Sequence, residues 1–120
     1  DRVPAQGGGV LDGPTRLGLY RVMVLSRTFE EAILREYHAD KGPGFDIGKG
    51  LVPGEMPLSA GQEPVAAGVC AHLTADDAVT ATQRPHHLAS AHGVDLRKLA
   101  AEIFGRETPV ELSFSQVQKV

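Results

Sequence analysis

The residues best suited to chemistry lie together about two thirds of the way along the chain, in the run Thr80-Ala81-Thr82-Gln83-Arg84-Pro85-His86-His87. The β-branched residues before Gln83 favour a short strand, and Pro85 suits the first turn of a helix. Arg84 and the two histidines therefore fall at a predicted strand-to-helix junction, where free N–H groups and the helix dipole favour a bound anion. A guanidinium there can donate two parallel hydrogen bonds to a phosphate. The alternative is a structural ion pair for Arg84 and ordinary surface histidines, because these residues form no strict motif.

The composition predicts an ordinary soluble protein. A length of 120 residues fits one domain or a piece of a larger one, and 42% apolar with 22% charged residues is typical of globular chains. The net charge of −3 and the scattered basic residues argue against nucleic acid as the main partner. No segment approaches the roughly 20 apolar residues that cross a bilayer, and no signal-peptide pattern opens the sequence.

Cys70 is the only cysteine, so neither an intrachain disulfide nor a cysteine-based zinc site can form within the chain. Its apolar neighbours predict a thiol that packs as a small hydrophobe, and no nearby base suggests a nucleophile. We expect a reducing compartment, cytoplasmic or matrix-like.

The elements before this region are a flexible lead-in and one long helix. Residues 1–12 contain three consecutive glycines and are predicted to be flexible. Asp12 can cap a helix from Pro14 to Lys41, ended by Gly42 and Pro43. An apolar stripe at three- and four-residue steps supports the helix. Its members are Leu19, Val22, Met23, Leu25, Phe29, Ala32, Ile33 and Tyr37.

A glycine-rich loop is predicted between residues 42 and 54, where five Gly and two Pro exclude a helix or a central strand. Within it, Gly48-Lys49-Gly50 could cradle a phosphate through backbone N–H groups, although the spacing fits neither the Walker nor the dinucleotide-binding pattern. The alternative is an inert connector.

The second half of the chain reads as short helices around one strand. Ser59 and Gln62 have the spacing of a capping box for a helix over residues 62–73, whose small side chains favour close packing in a core or at a subunit interface. A strand follows at 78–82, then a helix over 85–92 and another capped by Asp95 and closed by Gly105. Residues 110–114 alternate like an edge strand or an ordered tail.

Four segments between residues 17 and 108 carry a resemblance to a known family. They are Leu19 to Glu31, Gly61-Gln62-Glu63 with Val65 to Val69 behind it, Arg84-Pro85-His86-His87 through Ala91 to Asp95, and Ala100 to Arg106. They resemble the alpha subunits of thiamine-diphosphate-dependent 2-oxo acid and acetoin dehydrogenases.

The resemblance implies an α/β fold: a helix-rich N-terminal part of a three-layer thiamine-diphosphate-binding fold, with a short parallel strand near 78–82. By motif match, Gln83 and Arg84 would contact the cofactor diphosphate, and His86 and His87 would be the catalytic histidines. The implied chemistry is decarboxylation of a 2-oxo acid or cleavage of acetoin, with acyl transfer to lipoamide. The implied partners are a beta subunit and a dihydrolipoyl acyltransferase within a homo- or hetero-oligomer.

Three departures from the family pattern bear on activity. Gln83 stands where the family usually has Tyr or His, and Pro57 stands where a histidine is common. After Thr108 the chain departs from the family, and residues 109–120 form a divergent tail without the Gly-Asp-Gly segment that holds magnesium. We therefore expect residues 13–108 to form a partial domain with no metal ligands and little turnover alone.

Two further interpretations stay open. The first is a non-catalytic interaction or oligomerisation module derived from the same family. The second is a metal site at His86, His87 and His92, which is disfavoured because adjacent helical residues point about 100° apart.

Overall fold

A computed structural model describes residues 11–82, 84–105 and 117–119. Within these ranges the chain forms four helices and two three-residue strands. The helices are α1 (Gly13–His38), α2 (Glu63–Ala71), α3 (His86–Ala91) and α4 (Leu96–Ile103). The strands are β1 (Val79–Ala81) and β2 (Val117–Lys119). None of the described helices combines the length and the apolar character needed to cross a membrane.

Helix α1 confirms the predicted long helix, including its cap. The Asp12 carboxylate accepts a hydrogen bond from the Thr15 N–H at 2.8 Å, which satisfies one of the unpaired donors of the first turn. The helix ends at His38, three residues before the predicted end at Lys41, and Asp40 follows with a left-handed φ of 63°. The lead-in that we predict over residues 1–12 lies almost wholly outside the described residues.

The buried face of α1 differs from the predicted apolar stripe. Ile33 and Tyr37 are buried as expected, but Leu25 is 49% exposed. The deepest positions are polar, because Ser26 and Glu30 are each only 1% exposed. Hydrophobic periodicity therefore identified the helix without identifying what its centre buries.

Helices α1, α2 and α3 pack against one another through small side chains. Ala66, Ala67 and Ala89 are buried, and the Ser26 hydroxyl donates to the Ser90 hydroxyl at 3.1 Å. Cys70 is buried with its Sγ 3.8 Å from the Leu88 carbonyl oxygen, as expected for a structural thiol. The small-residue composition of α2 thus serves a close three-helix contact inside the chain.

The capping box predicted for α2 is wrong. The residue before the helix is Gln62, whose side chain makes no capping hydrogen bond. The backbone carbonyl of Ser59 accepts from the Gln62 N–H at 2.9 Å, while the Ser59 side chain is used elsewhere. The Ser59 hydroxyl therefore bonds to the distant Arg84 carbonyl oxygen instead of capping α2.

Strand β1 occupies the position predicted for a parallel strand and pairs in parallel with β2, with Val79 opposite Val117. The edge strand predicted over residues 110–114 lies outside the described residues. After β1, Gly93 has a φ of 96° at the end of α3, and the Asp95 side chain caps α4 by accepting from the Arg97 N–H. The described residues form a helix-rich arrangement, which is consistent with the predicted α/β class; the three-layer arrangement stays a prediction.

Candidate functional site

Arg84 lies in the connection from β1 to α3, and its exposed side chain lines an open pocket of about 510 Å³. The other lining residues are Tyr37, Glu55, Met56 and Pro57. Among residues 11–82 and 84–105, no carboxylate lies within 4.0 Å of the guanidinium. The structural ion pair considered for Arg84 is therefore not formed within those ranges. Its planar donors face a concave surface that has room for an anionic ligand.

The main chain at Arg84 is held independently of its side chain. The Ser59 hydroxyl donates to the Arg84 carbonyl oxygen at 3.1 Å, and Ser59 is only 2% exposed. This bond ties the junction to the turn that precedes α2, 25 residues earlier in the chain. The Ser59 hydroxyl therefore fixes the backbone that carries the pocket-lining side chain.

A buried carboxylate lies beneath the same junction. Glu30 Oε1 accepts the Ser59 N–H at 2.7 Å and lies 3.4 Å from His86 Nδ1. Glu30 Oε2 lies 3.1 Å from His87 Nε2, although these two atoms are not aligned as a hydrogen bond. Burying a carboxylate is costly unless it is paired, so this cluster needs N–H donors from the imidazoles. We name Glu30, Ser59, His86 and His87 the Glu30 cluster.

The two histidines differ in exposure but face the same carboxylate. The side chain of His86 is 14% exposed and that of His87 is 3% exposed. Neither is among the described residues that line the Arg84 pocket. The structure therefore brings Arg84 to the pocket and turns both histidines towards Glu30.

The wall of the pocket depends on Tyr37 and on a buried lysine. The Tyr37 hydroxyl donates to the Gly54 carbonyl oxygen at 2.9 Å. Lys41 is only 2% exposed; its ammonium donates to the carbonyl oxygens of Lys49 and Val52 and lies 4.3 Å from the centre of the Tyr37 ring. Residues 42–54 thus form a loop, as predicted, and they wrap around the Lys41 ammonium instead of lying loosely on the surface.

The phosphate cradle considered at Gly48-Lys49-Gly50 finds no support in this loop. The Gly48 N–H donates to the Asp46 carboxylate at 3.0 Å, and the Lys49 N–H donates to the Asp46 carbonyl at 3.1 Å. The Lys49 carbonyl points at the Lys41 ammonium. Two of the three N–H groups are therefore already used within the loop.

An ion pair fixes the start of α2. The Arg27 Nε donates to Glu63 Oε1, and both carboxylate oxygens of Glu63 also accept from the Gly61 N–H. The Arg27 guanidinium and these backbone donors lower the pKa of Glu63 to about 2, against the opposing effect of burial. The same contact raises the pKa of Arg27. Glu63, the last residue of the Gly61-Gln62-Glu63 segment, therefore has a structural role.

Of the four predicted site residues, the structure places Arg84 at a pocket and His86 and His87 in the Glu30 cluster, while Gln83 lies outside the described residues. Their roles stay predictions. Sequence reasoning missed Glu30 as a member of the site. The available signal was its register: Glu30 lies three residues before Ile33 and seven before Tyr37, on the buried face of α1.

No group of three or more His, Cys, Asp or Glu side chains that could hold a metal ion occurs within the described ranges. The proposed site at His86, His87 and His92 therefore has no counterpart there. The six-residue length of α3 also makes its dipole a small part of any anion attraction.

The described residues form a helix-rich segment that presents an arginine between a strand and a helix, and sequence comparison shows that this segment is similar to part of several dehydrogenase alpha subunits. The chain is related to the alpha subunit of acetoin:2,6-dichlorophenolindophenol oxidoreductase from Bacillus subtilis, with 41% identity over 92 residues, or 77% of this chain and 25% of the relative. The corresponding subunit of Cupriavidus necator is 36% identical over 81% of this chain and 26% of its own length.

A second group of relatives comprises alpha subunits of the pyruvate dehydrogenase E1 component. That of Schizosaccharomyces pombe is 37% identical over 76% of this chain and 20% of its own length. The predicted family resemblance is thus confirmed, and the chain spans about a quarter of the length of the relatives it matches. No protein-family profile and no solved structure matches it.

Proposed function

We propose that this chain supplies one part of the thiamine diphosphate site in an alpha-subunit-like component of a dehydrogenase that acts on acetoin or a 2-oxo acid. The observation that carries the proposal is the Arg84 pocket. An arginine whose guanidinium has no carboxylate partner in the described ranges lines a concave surface at a strand-to-helix junction, in a segment similar to part of such subunits.

The pocket fits one end of the cofactor. The Arg84 guanidinium can donate two hydrogen bonds to a diphosphate oxygen pair, and its main chain is already held by Ser59. A diphosphate carries two or more negative charges, and one arginine does not balance them. We therefore propose that the remaining contacts, including the magnesium ligands, come from elements outside these 120 residues, and that the residues described here bind the cofactor weakly by themselves.

The proposed chemistry also requires partners. A bound thiamine diphosphate would supply the nucleophile for chemistry at the substrate carbonyl, and Arg84 would hold its diphosphate. The alpha-subunit resemblance implies a beta subunit that completes the site and an acyltransferase that receives the product. We place the complex in the cytoplasm as part of the proposal, because the chain has a single cysteine. His86 would then bind a substrate oxygen or carry a proton, which are ordinary roles for an imidazole.

A segment exchange tests this proposal. The 92 aligned residues of this chain replace their counterpart in the B. subtilis alpha subunit, and the hybrid is assayed with its beta subunit for acetoin-driven reduction of dichlorophenolindophenol. We expect a hybrid that binds thiamine diphosphate and reduces the dye. A folded hybrid that assembles with the beta subunit but binds no cofactor would refute the proposal.

Two variants of the hybrid sharpen the test. Loss of charge-assisted hydrogen bonds of about 1.5–3 kcal/mol should make Arg84→Ala bind the cofactor roughly 10- to 100-fold more weakly. Arg97→Ala is the matched control, because Arg97 is also exposed but lies on α4 and does not line the pocket. Equal cofactor affinity in the two variants would remove Arg84 from the site.

An association module is the second candidate, and exposed apolar residues favour it. Val65 and Val69 lie four residues apart on α2 and are 65% and 45% exposed, while Leu17 and Tyr20 on α1 are 65% and 64% exposed. This candidate predicts a stable oligomer whose mass is unchanged by thiamine diphosphate and falls when Val65 and Val69 are replaced by Ser. Sedimentation of the full chain with and without the cofactor distinguishes the two candidates.

A further inference from the structure

We infer that Glu30 is a positioning residue for His86: its carboxylate holds the proton of His86 on Nδ1 and makes Nε2 the basic nitrogen of that ring. The catalytic meaning of this inference rests on the proposed function, in which His86 meets the substrate. The placement of the proton does not depend on it, because it follows from the geometry of the Glu30 cluster.

The Glu30 carboxylate is buried and needs hydrogen-bond donors. Glu30 is 1% exposed and lies in the middle of α1, where an apolar side chain would fill the same space without a desolvation cost. One backbone donor, the Ser59 N–H at 2.7 Å, accounts for part of its pairing. Two imidazole nitrogens lie within 3.4 Å of its oxygens, and they are the remaining donors that the described residues offer.

The Glu30 carboxylate determines which nitrogens of the two imidazole rings carry a proton. A neutral imidazole has one donor nitrogen and one acceptor nitrogen, and the partner of one nitrogen sets the role of the other. Because a carboxylate accepts hydrogen bonds only, His86 must carry a proton on Nδ1 to pair with it. His87 Nε2 lies 3.1 Å from Oε2, where a bare lone pair would repel the carboxylate, so that nitrogen is also expected to carry its ring's proton. The lone pair of a neutral His86 is then on Nε2, which is the arrangement that lets a carboxylate orient a catalytic imidazole in other sites.

Two hydrogen bonds through Ser59 connect this cluster to the pocket. The Glu30 carboxylate holds the Ser59 backbone, and the Ser59 hydroxyl holds the Arg84 carbonyl at 3.1 Å. One buried acid therefore supports both the ring of His86 and the main chain of the pocket-lining arginine. This double contact gives the buried charge of Glu30 a structural role at the pocket.

Nitrogen NMR of the full chain tests the inference without any cofactor. With ring nitrogens labelled, long-range proton–nitrogen correlations at about pH 8.5, roughly two units above the usual histidine pKa, report which nitrogens are protonated. We expect a protonated Nδ1 in His86 and a protonated Nε2 in His87. An unprotonated Nδ1 in His86 of the unmodified chain overturns the inference, so this measurement decides it even where a variant fails to fold.

The Glu30→Gln variant adds a sharper signature. The Ser59 N–H requires the amide oxygen at the position of Oε1, which turns the amide NH₂ towards His87 Nε2. We expect His86 to keep its Nδ1 proton and His87 to move its proton from Nε2 to Nδ1. Glu31→Gln is the matched control, because its side chain is 55% exposed and its ion pair is with Arg27; it should change neither ring. A His87 proton that stays on Nε2 in Glu30→Gln contradicts the inferred geometry.

The hybrid dehydrogenase separates this inference from the proposed function. In the hybrid, Glu30→Gln should lower kcat by about fivefold or more while KM for acetoin stays within about twofold, because a neutral amide no longer stabilises the proton that His86 accepts. An unchanged kcat overturns the positioning role. A folded parent hybrid that assembles with the beta subunit but binds no cofactor refutes the proposed function instead, while the ring-nitrogen result decides the inference by itself.

Discussion

Replacing Glu63 with Gln should remove an acid-sensitive part of the stability of this chain. The Arg27 guanidinium, with help from the Gly61 N–H, lowers the pKa of Glu63 from 4.5 to about 2. At about 1.36 kcal/mol per pKa unit, the full shift corresponds to about 3 kcal/mol. Arg27 is 44% exposed, so solvent screening reduces the expected loss at neutral pH to about 1–2 kcal/mol.

The sign of the pH dependence follows from the lowered pKa. A carboxylate that holds its proton less tightly in the folded chain contributes its full stability above the unfolded pKa of 4.5. That contribution is lost as the pH falls towards about 2, where the folded chain also takes up the proton. The difference between the parent chain and Glu63→Gln should therefore be largest at pH 5–8 and shrink steadily below about pH 4.5.

Chemical denaturation at several pH values between about 2.5 and 7 measures this difference directly. Glu31→Gln is the matched control: its carboxylate is also near Arg27, at 3.9 Å, but it is 55% exposed and should contribute less than about 0.5 kcal/mol. Equal loss from Glu31→Gln and Glu63→Gln, or a difference that does not vary with pH, would refute the argument from the buried pair.

Three further substitutions test the loop that wraps around Lys41. Gly50→Ala should destabilise the chain by about 1–3 kcal/mol in denaturation experiments, because its φ is 86° and an added Cβ would lie 2.8 Å from the Ala39 carbonyl, whereas Gly44→Ala, with open space around it, should be nearly neutral. Lys41→Met should keep the packing but leave two carbonyls unpaired, so limited proteolysis should cut residues 42–54 faster than in the parent chain; equal rates would contradict the clamp. Tyr37→Phe removes the bond to the Gly54 carbonyl and should cost about 1 kcal/mol; no change in the denaturation midpoint would show that this bond adds nothing.

Local signals in the sequence predicted the helices and the N-caps of α1 and α4, although not the start of α2. Asp12 and Asp95 each cap the helix that follows them, because a cap depends only on residues within one turn. Gly93 and Gly105 take the left-handed conformation expected where a helix closes. Such features need no knowledge of the rest of the chain.

Long-range pairing explains what the sequence did not reveal. The Ser59 hydroxyl bonds to a carbonyl 25 residues away instead of capping α2, and Glu30 meets histidines 56 and 57 residues later. Hydrophobic periodicity assigns a charged residue to the solvent face of a helix by default, so it did not predict that Glu30 is buried. The Arg84 junction was predicted from strand and proline signals, but its pocket is formed with residues 55–57 and Tyr37, which no local pattern connects to it.

At position 84 the carbonyl oxygen is held by Ser59, while the guanidinium is exposed in the pocket. The side chain can therefore be replaced without removing the contact that holds the backbone. The backbone contact there is made by a carbonyl oxygen that every amino acid possesses, whereas the pocket is lined by a side chain that forms no ion pair among the described residues. Lysine, glutamine or methionine could be installed in turn, and each would sample a different ligand preference on the same scaffold.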